Sequence, residues 1–340
     1  MRRTRARRLL ATLVVAAAGL AAGGALAHHS PARYDLQSQR TVEGTIASYE
    51  WGNPHVYLSV RENGGDRVWV VEAYPSTAMK QYGWAADTFA AGEPVVVVGS
   101  PGRDASRNIL FLRAIRKAGS DVALYDAKGA MAPPANPPAE VFRATSIAGT
   151  WMSSVGEGFG TFFGPGVAQI ATPKGAAAVA EFIDTANPGL QCVPFAPPVY
   201  MILPGFRSIE IRGDSVVIRG EDAAVDRVVH LGVANHDGIA PSVQGHSIGR
   251  WDGGVLIVDT ASFAPHRIGN GAGLPGGARK HLVERFALAA DGGLTYSYEL
   301  EDPEYLKERV TGTALWAYRP DVDFVVTPCD PRNARRFLTE

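Results

Sequence analysis

Beyond the first forty residues, apolar and polar residues alternate with a period near two, the pattern of strands buried on one face. In the first third of the chain, Thr41–Tyr49 reads as a strand, and Val56, Leu58 and Val60 alternate with Tyr57, Ser59 and Arg61. Asn63-Gly64-Gly65-Asp66 supplies hairpin-turn chemistry before a third strand over Arg67–Ala73. Ser76 can cap a short helix that Gly83 stops. Val95–Gly99 and Ile109–Ile115 complete a β-β-β-α-β-β order, which is that of a small five-stranded OB-like barrel.

After residue 146 the strands come in pairs. Ile209–Ile211 and Val216–Ile218 flank Gly213-Asp214, Ser247–Trp251 and Val255–Thr260 flank Asp252-Gly253-Gly254, and His281–Leu288 and Leu294–Glu301 flank Asp291-Gly292-Gly293. Repeated hairpins of similar spacing predict a larger antiparallel barrel closed by sequential strands. Gly149-Thr150-Trp151 at its head looks like the G-x-W that opens lipocalin-like barrels. Between the two halves, AKGAMAPPANPPAE replaces strand formers with Pro and Ala and reads as a semi-rigid linker. The expected organisation is therefore residues 1–27 as a signal peptide, 28–117 as the OB-like domain, 118–145 as linker and 146–340 as the second barrel.

The leader rests on three features in order. Arg2, Arg3, Arg5, Arg7 and Arg8 form a basic start, Leu9–Leu20 is apolar, and Ala25-Leu26-Ala27 fits a signal-peptidase site. A membrane anchor is the rival reading, but the apolar run is short for a span; Arg7-Arg8-Leu9-Leu10 also faintly resembles a twin-arginine signal. Cleavage removes five of the 33 basic residues and none of the 34 acidic ones, leaving 28 against 34, a formal net charge of −6. An anionic chain is a poor partner for nucleic acid, and no later segment reads as membrane-spanning. The expected location is the periplasm or the medium. There Cys192 and Cys329, the two cysteines of the chain, are expected to pair as a disulfide.

Several stretches together resemble a family of exported two-domain bacterial proteins of unknown function. They are Ala27-His28-His29-Ser30, Glu50-Trp51-Gly52-Asn53-Pro54-His55 and Gly245-His246-Ser247-Ile248-Gly249-Arg250-Trp251, extended by Val258-Asp259-Thr260, Val283-Glu284-Arg285-Phe286 and Asp302-Pro303. The resemblance implies two domains and export. It implies no activity and no cofactor.

Two constellations carry candidate chemistry. Cleavage after Ala27 would give His28 a free α-amine beside its imidazole, followed by His29, and His55 could add a ligand; imidazole suits Cu, Ni and Zn, with copper the favoured candidate. The bland reading is a solvated terminus and a turn histidine. In the second barrel, a two-residue Asp252-Gly253 turn would pair Trp251 with Gly254 and place His246 directly opposite Asp259. His246, Ile248 and Arg250 would then share one face. A His246–Asp259 acid–base pair aided by Arg250 is one outcome, and a structural pair that fixes register is the other. Arg227, His230, Trp251, Glu284 and Arg285 are the candidate ligand contacts, with Glu284 and Arg285 also readable as an ion-pair device. Gly269–Gly277 reads as a flexible loop able to cover a barrel mouth. Trp151, Phe159, Phe162, Phe163, Tyr296 and Tyr298 would line an apolar pocket or fill a core. There is no G-x-S-x-G, P-loop or H-E-x-x-H motif. These features point first to a barrel that binds a small apolar or amphipathic ligand. A hydrolase or isomerase using His246 and Asp259, and a copper protein using His28, are the alternatives.

Overall fold

A computed structural model describes residues 34–127, 142–153, 159–163, 166–221, 226–271 and 273–336. The proposed leader, His28 and His29 lie outside them. The chain is mainly β, with a small closed barrel followed by a larger one.

The first barrel is built from β1 (Arg40–Glu50), β2 (Tyr57–Glu62), β3 (Val68–Glu72), β4 (Pro94–Pro101), β5 (Ile109–Lys117) and β6 (Ala123–Asp126), in the order β3-β2-β1-β4-β5-β6. A β3–β5 pairing closes five of these strands into a ring. Alternating Val42, Ile46, Leu58, Val60, Val95, Val97, Leu110 and Leu112 turn inward and form its core. β6 occupies part of the segment that composition marks as linker. Its Tyr125 is buried against the core, so the sheet runs past Lys117 before the Pro/Ala-rich stretch begins. The short helix α1 (Ser76–Met79) follows β3. Ser76 does not cap it; its hydroxyl instead donates to Asn53 Oδ1 at 3.0 Å. Gly83, at φ 76°, ends the helical turns as its freedom from a Cβ allows.

The second barrel contains β7 (Gly149–Ser153), β8 (Gly205–Arg212), β9 (Ser215–Gly220), β10 (Arg227–Leu231), β11 (His246–Asp252), β12 (Val255–Ala261), β13 (His281–Leu288), β14 (Leu294–Glu301) and β15 (Val310–Tyr318). The nine strands close as β10-β11-β12-β13-β14-β15-β7-β8-β9. Helices α2 (Phe159–Phe162), α3 (Gly166–Ile170) and α4 (Pro173–Ala180) fill the connection from β7 to β8. The barrel is antiparallel except at one joint, where β10 and β11 run parallel. Parity demands this: strand direction cannot alternate all the way round a ring with an odd number of members. The five-membered ring meets the same demand at its own parallel pair, β3–β5. A parallel joint needs a crossover of about a dozen or more residues, here residues 232–245. β10 can lie close to β11 because residue 249 is glycine; a Cβ there would stand 2.6 Å from Val229 Cγ1.

The lumen of the large barrel is filled. Trp151, Phe162, Phe286, Tyr296, Tyr298 and Trp316 are buried in one cluster, and Trp151 Nε1 donates to Ile147 O at 2.8 Å. The Gly269–Gly277 stretch is also packed rather than loose. Leu274 enters the core, and a Cβ on Gly271 would meet the Phe162 carbonyl oxygen at 2.4 Å. Asp302 holds this loop by accepting from Asn270 Nδ2 at 2.7 Å and from Gly277 N at 2.8 Å. Lys280, fully buried, donates to Gly269 O at 2.6 Å, and burial pushes its ammonium down to about 7. Glycine serves close backbone approach here, which composition alone reads as flexibility.

The two barrels meet along a seam stitched by residues 327–336. Asn53 Nδ2 donates to Thr327 O at 2.8 Å, and Asp330 N donates to Asn53 O at 3.0 Å. Asn333 exchanges hydrogen bonds with the backbone of His55. Arg336 reaches Glu50 at 2.6 Å, and Lys80 on the first barrel pairs with buried Glu221 on the second at 2.6 Å. The Cys192–Cys329 disulfide is formed and ties this tail to the segment between α4 and β8. Among the described residues no helix is long and apolar enough to cross a membrane.

Candidate functional site

The parallel joint shapes the site. The crossover between β10 and β11 brings His236 back over the outer wall, where His230 on β10, His246 on β11, Asp259 on β12 and His281 on β13 already stand. His236 Nδ1 lies 2.9 Å from His246 Nδ1, and His236 Nε2 lies 2.9 Å from Asp259 Oδ1. His281 Nε2 is 3.1 Å from each Asp259 oxygen. The His230 and His246 rings lie 5.1 Å apart, tilted 32° to one another, whereas His236 meets His246 edge-on at 5.0 Å.

Bonding capacity assigns the protons. An ionised carboxylate only accepts, so His236 donates its Nε2–H to Asp259. With both rings neutral, His236 Nδ1 is then an acceptor and His246 must donate to it from Nδ1. The Nε2 lone pair of His246 is left for another partner. Burial first, then the neighbouring His236 and His230, hold the pKa of His246 below its ordinary 6.5, so the ring is neutral at neutral pH.

His230 and His246 also line a cleft of about 530 Å³. Its other walls come from Cys192–Pro194, Asp226–Val228 and Ser242–Gly245, which supply apolar surface through Val193, Pro194, Val228 and Val243. Gln244 Nε2 donates to Phe195 O at 3.1 Å and fastens the crossover to the opposite wall.

The register differs from the expected one. Asp252 pairs with Val255, so Gly253 and Gly254 form the turn at φ 55° and 87°, which suits a hairpin whose two central residues both need positive φ. His246 consequently faces Ala261, and Asp259 faces Ile248. The slip is two residues, so His246 and Asp259 keep a common face and become diagonal neighbours that His236 bridges. That face is the outside of the barrel, not its interior.

The other candidates separate. Arg250 is exposed at the hairpin end beside Asp252 at 3.4 Å, and Trp251 is exposed at the same tip. Arg285 pairs with Glu299 at 2.8 Å on the outer wall, whereas Glu284 points inward and pairs with Arg227, so these neighbours do not act as one device. Arg227 Nη1 donates to Glu284 Oε1 at 2.9 Å and Nη2 to Thr260 Oγ1 at 3.0 Å, while Tyr296 donates to Glu284 at 2.8 Å. His55 has Nδ1 3.2 Å from Ala73 O and 3.3 Å from Glu72 Oε1. Among the described residues no three His, Cys, Asp or Glu side chains converge as a metal site. His236 and His281 escaped the sequence reading. The available signal was the odd strand count, which requires a long crossover, and the Asn235-His236-Asp237-Gly238 turn within it.

Residues 15–111 match a Family of unknown function (DUF6152). The match takes in β1 to β4 and the first residues of β5, and leaves the imidazole cluster outside it. A comparison with curated proteins gives no match. Among solved structures, the S. pombe Stn1-ten1 complex is similar at 17% identity over 24% of this chain and 59% of that one, with a TM-score of 0.20. The ZRD-deleted mutant of TiaS in complex with agmatine is similar at 18% identity over 24% of this chain and 23% of that one, with a TM-score of 0.19.

Proposed function

We propose that this chain is an exported protein that binds a small amphipathic molecule in the outer cleft of its second barrel. The observation that carries the reading is the Asp259–His236–His246 chain, which fixes an unprotonated imidazole nitrogen on a residue lining a partly apolar cleft. Such a site suits a molecule whose apolar body rests on Val193, Val228 and Val243 and whose hydroxyl donates to His246. The leader and the Cys192–Cys329 disulfide support placement in the periplasm or outside the cell. The anionic mature chain argues against nucleic acid as the ligand.

The test is native mass spectrometry of the mature protein purified from its own envelope. The expected result is a chain beginning at His28 that retains a small molecule, which is lost on His246→Leu and on Val228→Trp. A wild-type chain that carries nothing, or variants that retain the same molecule, would overturn the reading.

The same chain of hydrogen bonds favours a second reading, an acid–base enzyme. There His246 would take a proton from bound substrate, and His236 and Asp259 would hold its tautomer. In that case the retained molecule is consumed on incubation, and Asp259→Asn slows its loss without weakening its binding.

A further inference from the structure

A second cavity, of about 270 Å³, lies in the seam between the barrels. Its walls are largely apolar: Pro54 and Pro75 from the first barrel face Leu190, Phe195, Leu203 and Ile268 from the second. Cys192 and Cys329 also line it, so the disulfide that ties down the tail forms part of the wall.

The polar side chains on its walls are those of Asn53, His55, Asn187 and Tyr200, and His55 is the one imidazole among them. His55 Nδ1 faces the Ala73 carbonyl, which can only accept, and lies beside Glu72 Oε1. The proton of a neutral His55 therefore sits on Nδ1, and the nitrogen left to a guest is the acceptor Nε2. Glu72 is itself buried and takes a hydrogen bond from Tyr34 at 2.7 Å, which holds the carboxylate that orients the ring.

We infer that the seam is a second binding site, for a small, mainly apolar molecule bearing one hydroxyl that donates to His55. Volume, lining and polarity each point that way. At about 270 Å³ the cavity lies just below the usual range for small-molecule sites, roughly 300–1,000 Å³, which suits a small guest, and such sites favour the junction between domains. A largely apolar wall with an oriented imidazole acceptor favours a hydroxyl donor on a hydrocarbon frame. A charged guest would be stripped of water without a compensating partner. The cavity shares the Cys192–Pro194 wall with the outer cleft, but His55 lines only this one and His246 only the other, and the guest here touches both barrels. Occupancy would therefore favour the docked arrangement of the two halves, since a ligand stabilises the state that binds it.

Methyl-resolved NMR of the full mature chain can test this with two probes of nearly equal shape, 4-methylphenol and 1,4-dimethylbenzene. The expected result is movement of the Leu190, Leu203 and Ile268 methyls, with the phenol binding about three- to tenfold more tightly, the value of one hydrogen bond. Ala334→Phe, which fills the cavity, should abolish those shifts, and His55→Leu should bring the two probes within about twofold. Melting curves establish that each variant is folded; if one is not, the wild-type comparison decides alone. Silent seam methyls up to the solubility of the probes would overturn the inference. So would equal affinity for both probes in the wild type, binding that survives Ala334→Phe in folded protein, or shifts confined to Val228 and Val243 of the outer cleft.

Discussion

Strands β10 to β13 carry two polar clusters back to back. On the inner face, Arg227, Ser247, Thr260 and Glu284 close on one another and are almost wholly buried. On the outer face, His230, His246, Asp259 and His281 stand over solvent and a cleft, with about two-fifths of the Asp259 side chain exposed. The two sets share the same strands, one position apart on β11 and β12 and three apart on β10 and β13, so they fall on opposite faces. The inner set spends its hydrogen-bonding capacity on itself, whereas the outer set leaves a nitrogen lone pair over. Adjacent residues in one strand thus divide into those that hold the wall and those that can act on a guest.

The sharpest way to break this contrast is to remove one inner charge. Arg227→Met strands the Glu284 carboxylate in the core and should cost about 3–5 kcal/mol of unfolding free energy, read from denaturant titration. Arg227→Met with Glu284→Leu should recover most of that loss, because no buried charge then lacks a partner. A double variant as weak as the single one would show that packing, not charge, sets the cost.

Acid probes the wall from another side. Burial, reinforced by Lys280, depresses buried His266 to about 4. In the unfolded chain it takes its proton near 6.5. Between those values the unfolded chain holds the extra proton, so stability should fall as the solution is acidified from 6.5 to 4. The loss should be on the order of 3 kcal/mol, and flattened in His266→Phe. Thermal melts over that range give the measurement.

The outer cluster should show the opposite balance. His246→Ala or Asp259→Asn should change stability by no more than about 1 kcal/mol, as expected for exposed pairs, yet weaken capture of the cleft molecule at least about tenfold. Acceptance through the lone pair needs a neutral ring. Because the His246 pKa lies below 6.5, binding should persist through neutral pH and fail only as acid passes below that value. A binding curve that instead falls between pH 7 and 8 would exclude His246 as the acceptor.

Strand alternation and turn chemistry made both barrels legible in the sequence, because a period of two and Gly-rich turns are local signals. Pairing His246 with Asp259 was half legible. The two do share a face, but Asp252-Gly253-Gly254 offers more than one turn, and the ladder settled on the one whose glycines both take positive φ. Whether that face looked in or out was not legible, since polar residues occur on both sides of β11 and β12. His236 could not be placed from local pattern at all. Its position follows from a closure rule for the whole ring.

The W-G-N-P-H segment gains a meaning in time as well as space. Asn53 is bonded to Thr327, 274 residues further along. During synthesis the first barrel can complete its own core from residues 42 to 127. Most of its bonds to the second barrel must then wait until the tail has emerged. Contacts of such long sequence separation form late, so the seam is the final joint to set. A chain halted before Thr327 would keep the Lys80–Glu221 bond between the barrels but lack every seam bond that residues 327–336 supply.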